Sequence, residues 1–220
     1  MADGKGGILL SGSNLVSFSD DLSEQEENDI LDCVTYSELV ASEKSDREKA
    51  WFGWINRYQG GLLKSGLEIS GVLNSNTFSI SHRRELPYVA SRLIHAYGHR
   101  ELGELARSSL EALFRSDHAQ SFFEHWFSNS VSESLQLVPC RQTVSGHVEV
   151  MVCGLQLVTE STQGSWFQRP EARMTIHVDG GAFLYKPEGF ASHRAALNRR
   201  LQRYGRNYFD SLRLRRHITS

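Results

Sequence analysis

The sequence predicts an α+β fold: an N-terminal helical half, then a mostly antiparallel sheet, then a C-terminal basic helical segment. Three observations predict it. Apolar residues recur at helical spacing through most of the first 127 positions, and they alternate at strand spacing between 135 and 186. Helical spacing then returns within an arginine-rich tail. The signals come in blocks instead of alternating strand and helix, which argues for segregated α+β over a doubly wound parallel sheet. The organisation expected is an N-terminal stretch 1–19, a helical half 20–130 and a sheet-plus-helix part 131–220, with the last two open to reading as one domain.

Residues 1–19 are rich in Gly and Ser around two short apolar patches, Ile8-Leu9-Leu10 and Leu15-Val16. They read as a mobile end or as one short strand docked on the body. Two helix starts follow. Ser23 with Glu26 three residues later has the pattern of a capping box, and Ser45 with Glu48 repeats it. The first helix carries Ile30, Leu31, Val34 and Ala41 on one side. The second carries the stripe Trp51, Trp54, Ile55, Tyr58 and Leu62, expected to be core, and is expected to end near Gln59, before Gly60-Gly61. Between Leu67 and Ser81 a hairpin turning near Asn74–Asn76 is expected. Pro87 suits a first helical position. Val89, Leu93, Ala96 and Tyr97 form one face, with Gly98 a weak point. Leu102, Leu105, Ala106, Ser109 and Leu113 form the next. A short helix over 117–127 completes this half.

The second half begins with a strand at 135–138. A long alternating strand follows over 147–160, with Gly154 as a bulge or bend, then a loop over 163–170. Asp179-Gly180-Gly181 between two alternating runs predicts a hairpin turn. In the tail, Ala195, Leu197, Leu201 and Tyr204 should face inward, Gly205 should break the helix, and Tyr208, Phe209, Leu212 and Leu214 suggest a second docked piece.

At 220 residues, 40% of them apolar and 23% charged, the chain has the composition of an ordinary globular protein. No apolar run approaches a membrane span, and the N-terminus is a poor secretory signal. Cys33, Cys140 and Cys153 lack metal-ligand spacing and read as reduced thiols. A disulfide joining Cys140 to Cys153 across two strands is the less favoured reading. A cytoplasmic location, no membrane partner and no cofactor are expected.

The constellations that could carry catalysis are weak. His95 and His99, four apart with Glu101 and Glu104 nearby, could hold zinc only with a third ligand such as His118 or His125, and H-E-x-x-H is absent. His147 and Glu149 make an H-x-E fragment, but the downstream P-C-x-x-C of a nucleobase deaminase is missing; only Cys153 follows, in the same strand. Cys33 and Cys153 have no nucleophile signature, and no P-loop, G-x-S-x-G or G-x-G-x-x-G occurs. A non-enzymatic protein is expected.

Charge is the informative signal. Arg194, Arg199, Arg200, Arg203, Arg206, Arg213, Arg215 and Arg216 face one acid, Asp210, after Gly189, a balance of about +7. Positions 20–48 hold eleven acids against Lys44 and Arg47, about −9. Arginine without lysine suits bidentate pairing with carboxylates. The favoured partner is therefore another protein with an acidic surface, or a second copy of the chain. Nucleic acid, bound through 190–217 with Tyr204, Tyr208 and His217 stacking on bases, is the alternative.

Overall fold

The computed structural model describes residues 7–117, 132–159 and 173–217, the side chains of Ser132, Thr159 and 206–217 excepted. Six strands form one sheet: β1 (Ile8–Ser11), β2 (Asn14–Phe18), β3 (Glu68–Ile80), β4 (Ser132–Gln142), β5 (Val148–Thr159) and β6 (Met174–Tyr185). Their spatial order is β1-β2-β4-β5-β6-β3. Only β2 and β4 run parallel; every other pairing is antiparallel. The helices are α1 (Glu24–Lys44), α2 (Trp51–Ser65), α3 (Leu86–Ala96), α4 (Arg100–Arg115) and α5 (Pro187–His217).

Strand alternation makes the sheet apolar on both faces. In β5, Met151, Cys153, Leu155 and Leu157 enter one core, while Val148, Val150 and Val152 enter the other. Two apolar faces need two covers. Leu86, Ala90 and Ile94 of α3, with Leu102, Ala106, Leu110 and Leu113 of α4, cover the first. Ile30, Val34 and Ala41 of α1, the α2 stripe, and Phe190 and Leu197 of α5 cover the second. The α+β class holds, and the helices lie on both sides of the sheet.

Several local expectations are met. Ser23 and Glu26 form a complete capping box at the start of α1. Trp51, Trp54, Ile55, Tyr58 and Leu62 are all buried, so the aromatic stripe is core.

Others are corrected. Residues 8–18 are neither a mobile end nor a single strand: they form the β1–β2 hairpin, and β2 aligns in parallel with β4. Ser45 closes α1, its N–H donating to Ala41 O at 3.0 Å. The acceptor for Glu48 N–H is Asp46 Oδ1, at 3.0 Å, and α2 starts only after Ala50. Helix α2 runs through Gly60-Gly61 because Gly61 lies where α2 crosses α1: a Cβ there would sit 2.7 Å from Ser37 Cα. The Asn74–Asn76 hairpin is absent. β3 is one strand paired with β6, with register shifts at Ile69/Gly71 and Leu73/Asn76. The buried face of α3 is Leu86, Pro87, Ala90, Ser91 and Ile94; Val89 and Leu93 are half-buried, and Ala96 and Tyr97 are exposed. Ala195 is exposed as well, and α5 continues past Gly205 without a break. The helix expected over 117–127 and the loop over 163–170 lie almost wholly outside the described residues.

The Asp179-Gly180-Gly181 turn is also absent, for a physical reason. These residues lie inside β6, in unbroken register with β5. Neither glycine has a positive φ. A Cβ on Gly180 would fall 1.9 Å from Val152 O, so the neighbouring backbone occupies that space. Gly154 likewise makes no bulge: Ile55 Cδ1 would lie 2.7 Å from its Cβ, so the missing side chain admits α2. Cys140 and Cys153 point into opposite cores and are free thiols. Among the described residues no helix is long and apolar enough to cross a membrane.

Gly180→Ala should therefore destabilise the protein by about 3 kcal/mol, at the upper end for overpacking a filled site. Gly189→Ala, whose Cβ meets nothing within 4 Å, should be neutral or slightly stabilising. Urea unfolding of the two variants checks the contrast; equal stability of both would refute the close-packing account.

Candidate functional site

Helix α5 is anchored through one face. Phe190 (1% exposed) packs on Tyr185 with ring centroids 4.9 Å apart, and Leu197 (2% exposed) follows two turns later. One turn beyond Phe190, Arg194 reaches Asp29 of α1. Its Nε lies 2.7 Å from Oδ1 and its second terminal nitrogen 2.6 Å from Oδ2, a bidentate fork. Asp29 is 2% exposed. Tyr185 Oη donates to Oδ2 at 2.6 Å and Gln25 Nε2 to Oδ1 at 3.0 Å, so four donors saturate the carboxylate. Burial, then the hydrogen bond to Asp29 and its charge, push the Tyr185 phenol well above its usual range. The hydrogen bonds to Asp29 hold Arg194 firmly protonated. Burial and the Asp29 charge also raise the Asp32 carboxyl.

Further along α5, Leu201 and Tyr204 are half-buried. Tyr204 Oη donates to Glu43 Oε2 at 2.9 Å, and its ring meets Tyr36 edge-on at 6.2 Å. Burial first, and then Glu43, push this phenol up to about 12. Arg200 lies over the Tyr36 ring, 5.7 Å from its centroid, and donates to the carbonyl of Lys64 at 3.2 Å.

The eight arginines thus divide. Arg194 and Arg200 are tied to the domain. Arg199 and Arg203 are exposed and make no ion pair among the described residues. Arg206, Arg213, Arg215 and Arg216 lie on helical backbone, and their side chains fall outside the described residues.

The acidic segment does not run as a ladder along the arginines. Glu26 caps α1, and Asp46 serves the turn before α2. Glu38 accepts from Ser13 N at 3.2 Å, Ser13 Oγ at 2.8 Å, Asn14 Nδ2 at 2.7 Å and Arg47 at 3.4 Å. Asp29 and Glu43 bond to described α5 side chains. Tyr185 and Tyr36 were not anticipated as partners of the tail. The usable signal for Tyr185 is its place on a buried strand face, where a phenol needs a hydrogen-bond partner.

The remaining constellations do not converge. Helix α3 ends between His95 and His99, with Gly98 at φ 88°, so the two share no helix face. His95 lies 3.5 Å from Glu104, while His99 Nδ1 lies 2.8 Å from Glu149 Oε1. Arg141 Nε holds the other Glu149 oxygen at 2.9 Å and also meets Glu101. Glu149 is thus the acid of an ion-pair network. His118 and His125 lie outside the described residues, among which no group of three or more His, Cys, Asp or Glu could hold a metal. Burial pushes the Cys33 and Cys153 thiols up to about 12 and Cys140 well above its usual range, so all three are protonated at neutral pH.

No protein-family model and no curated protein matches the chain. Among solved structures, a delta-endotoxin aligns with 81% of this chain and 85% of its own, at 11% identity and a TM-score of 0.43. The structure of the Evf virulence factor aligns with 93% and 85%, at 12% identity and the same TM-score of 0.43. Likeness at this level carries no argument about fold or function.

Arg194→Ala leaves Asp29 buried without its fork. The expected loss is about 3 kcal/mol, at the low end for a buried pair broken from one side, because Arg194 keeps 34% of its side chain in water. Arg194→Lys should recover part of it, and chemical denaturation reads both. Alkaline pH gives a second test. The raised thiols and phenols keep protons in the folded state that the unfolded chain releases above about 9 and 10. Their stabilisation is complete below those values and is lost as pH rises toward 12. The unfolding midpoint should fall over that window, less steeply in Tyr185→Phe; a flat profile would contradict the burial described.

Proposed function

We propose that this protein is a non-enzymatic interaction component, such as an adaptor, chaperone or assembly subunit of the cytoplasm. Its solvent-facing arginines on α5 grip an acidic surface on another protein. The observation that carries the reading is the division of labour along α5. The domain's own carboxylates account for Arg194, while Arg199 and Arg203 stay exposed without an acid partner among the described residues. Helix α5 has 31 residues, about 46 Å of helix. Its described side-chain contacts with the domain end at Tyr204, about 26 Å along. The segment beyond carries four more arginines in sequence and one acid. Guanidinium forks match carboxylates bidentately, which favours an acidic protein over a simple polyanion.

The test uses the full chain and the double variant Arg199→Glu/Arg203→Glu. Arg194 and Arg200 are left intact because they hold α5 to the domain. Crosslinked partners of the native chain should survive nuclease treatment, be released by about 0.5 M salt, and be lost in the variant. Capture abolished by nuclease would replace the acidic protein with nucleic acid. Light scattering of the purified chain between low and high salt decides self-association; an unchanged mass removes it.

A further inference from the structure

The long edge of the sheet carries a second surface, one that uses no arginine. The strand order puts β1 at one edge and β3 at the other. β1 has 4 residues and β3 has 13, and among the described residues β3 pairs with β6 alone. A long open edge offers backbone N–H and C=O groups to a further strand, and lysine, proline or a covering segment normally blocks it. Residues 68–80 contain no lysine, arginine or proline. Their one acid, Glu68, is held by Lys186 at 2.6 Å. Toward the middle of β3 the backbone is engaged: Asn74 N–H donates to Tyr97 Oη at 3.1 Å, and Thr77 N–H to Asn76 Oδ1 at 2.7 Å. From Glu68 to Leu73 no such contact occurs among the described residues. A cleft of about 160 Å³ opens there beside Ser70, Gly71, Val72 and Leu73.

Two apolar side chains stand out of this open stretch: Ile69 is 56% exposed and Val72 62% exposed. Both lie on the α2 face of the sheet. Ile69 is opposite Phe183 of the α2-side core, and Val72 is opposite Gly181, where a Cβ would lie 3.1 Å from Gln59 Oε1 of α2. A register shift between Ile69 and Gly71 brings the two to one face although they are three positions apart. We propose that a second copy of the chain covers this edge, with β3 pairing antiparallel to β3 across a two-fold axis between Ser70 and Gly71. The edge is complementary to itself, as such an axis requires. In that register Ile69 faces Val72 of the copy and Val72 faces Ile69 of the copy, so both exposed side chains gain an apolar cross-strand partner. Each Glu68 falls opposite Leu73 of the copy, at the ends of the paired segment, and no like charges meet. Self-pairing matches both apolar side chains at once, which favours a copy over an unrelated strand. Backbone and apolar groups hold this dimer, so salt leaves it intact, unlike any association through the α5 arginines.

Sedimentation of the full chain at about 100 μM, in about 50 mM and about 0.5 M salt, tests it. The mass should be twice that of one chain at both salts. Val72→Lys sets a charge on the edge and should give single chains at the same concentration. Arg199→Glu/Arg203→Glu should dimerise as the native chain does. Oxidation of cysteine variants reads the register. A mixture of Ile69→Cys and Val72→Cys chains should crosslink and either alone should not, because position 69 meets position 72 and never itself. The proposal is overturned by a native mass of one chain at about 100 μM. A dimer lost at about 0.5 M salt would move the contact to the α5 arginines and overturn it too. So would a dimer that Val72→Lys leaves intact, or crosslinking of either cysteine variant alone as efficient as in the mixture. The substituted side chains are exposed, and circular dichroism confirms that each variant is folded.

Discussion

A sheet that is apolar on both faces is the constraint on which the rest of this molecule depends. The central strands β4, β5 and β6 send large aliphatic side chains to either side, and neither face can meet water. Two helices suffice for one face. The other needs α1, α2 and the first turns of α5, because Phe183, Tyr185 and Phe190 extend the second core to where the chain leaves β6. The arginine-rich segment is therefore bound into the architecture at its start. Phe190 and Leu197 fix its direction, and every arginine up to Tyr204 takes its orientation from that anchoring.

Packing three helices on one face draws polar groups into the seams between them, and two carboxylates show how this is resolved. Asp29 lies between α1, β6 and α5 with four donors around it. Glu38 lies between α1 and the β1–β2 turn. There Gly12, at φ 57°, brings the backbone so close that a Cβ would meet Glu38 Oε2 at 2.3 Å. Tyr58 extends that network by donating to Asn14 Oδ1 at 2.8 Å. Asp29 is buried and Glu38 half-buried, and a carboxylate so placed persists when its oxygens are satisfied in this way. Asp29, Glu38 and Glu43, three of the eleven acids of residues 20–48, thus join elements of one fold. The near cancellation of −9 and +7 along the chain does not translate into a matching stack of ion pairs.

Features encoded by short-range patterns were legible in the sequence: the capping box at Ser23 and Glu26, the stripe from Trp51 to Leu62, the long alternating strand before Thr159, and the arginine tail as a helix. What was not legible depended on contacts distant in sequence. Glycine has two uses, positive φ and the absence of a Cβ, and the sequence writes both alike. Gly180 and Gly181 were read for the first, and β5 and β3 require the second. Gly205 was read as a breaker, yet one glycine weakens a helix by only about 1 kcal/mol, less than its packing can supply. Arg194 could be singled out by charge, but its acceptor lies 165 positions away and nothing local marks Asp29 apart from its acidic neighbours.

On α5 the exposed cations recur at one-turn intervals along a cylinder, with aliphatic and tyrosine side chains turned the other way toward α1. Such a row presents charge along a line and encloses nothing, so it suits an extended acidic surface that supplies carboxylates at matching intervals.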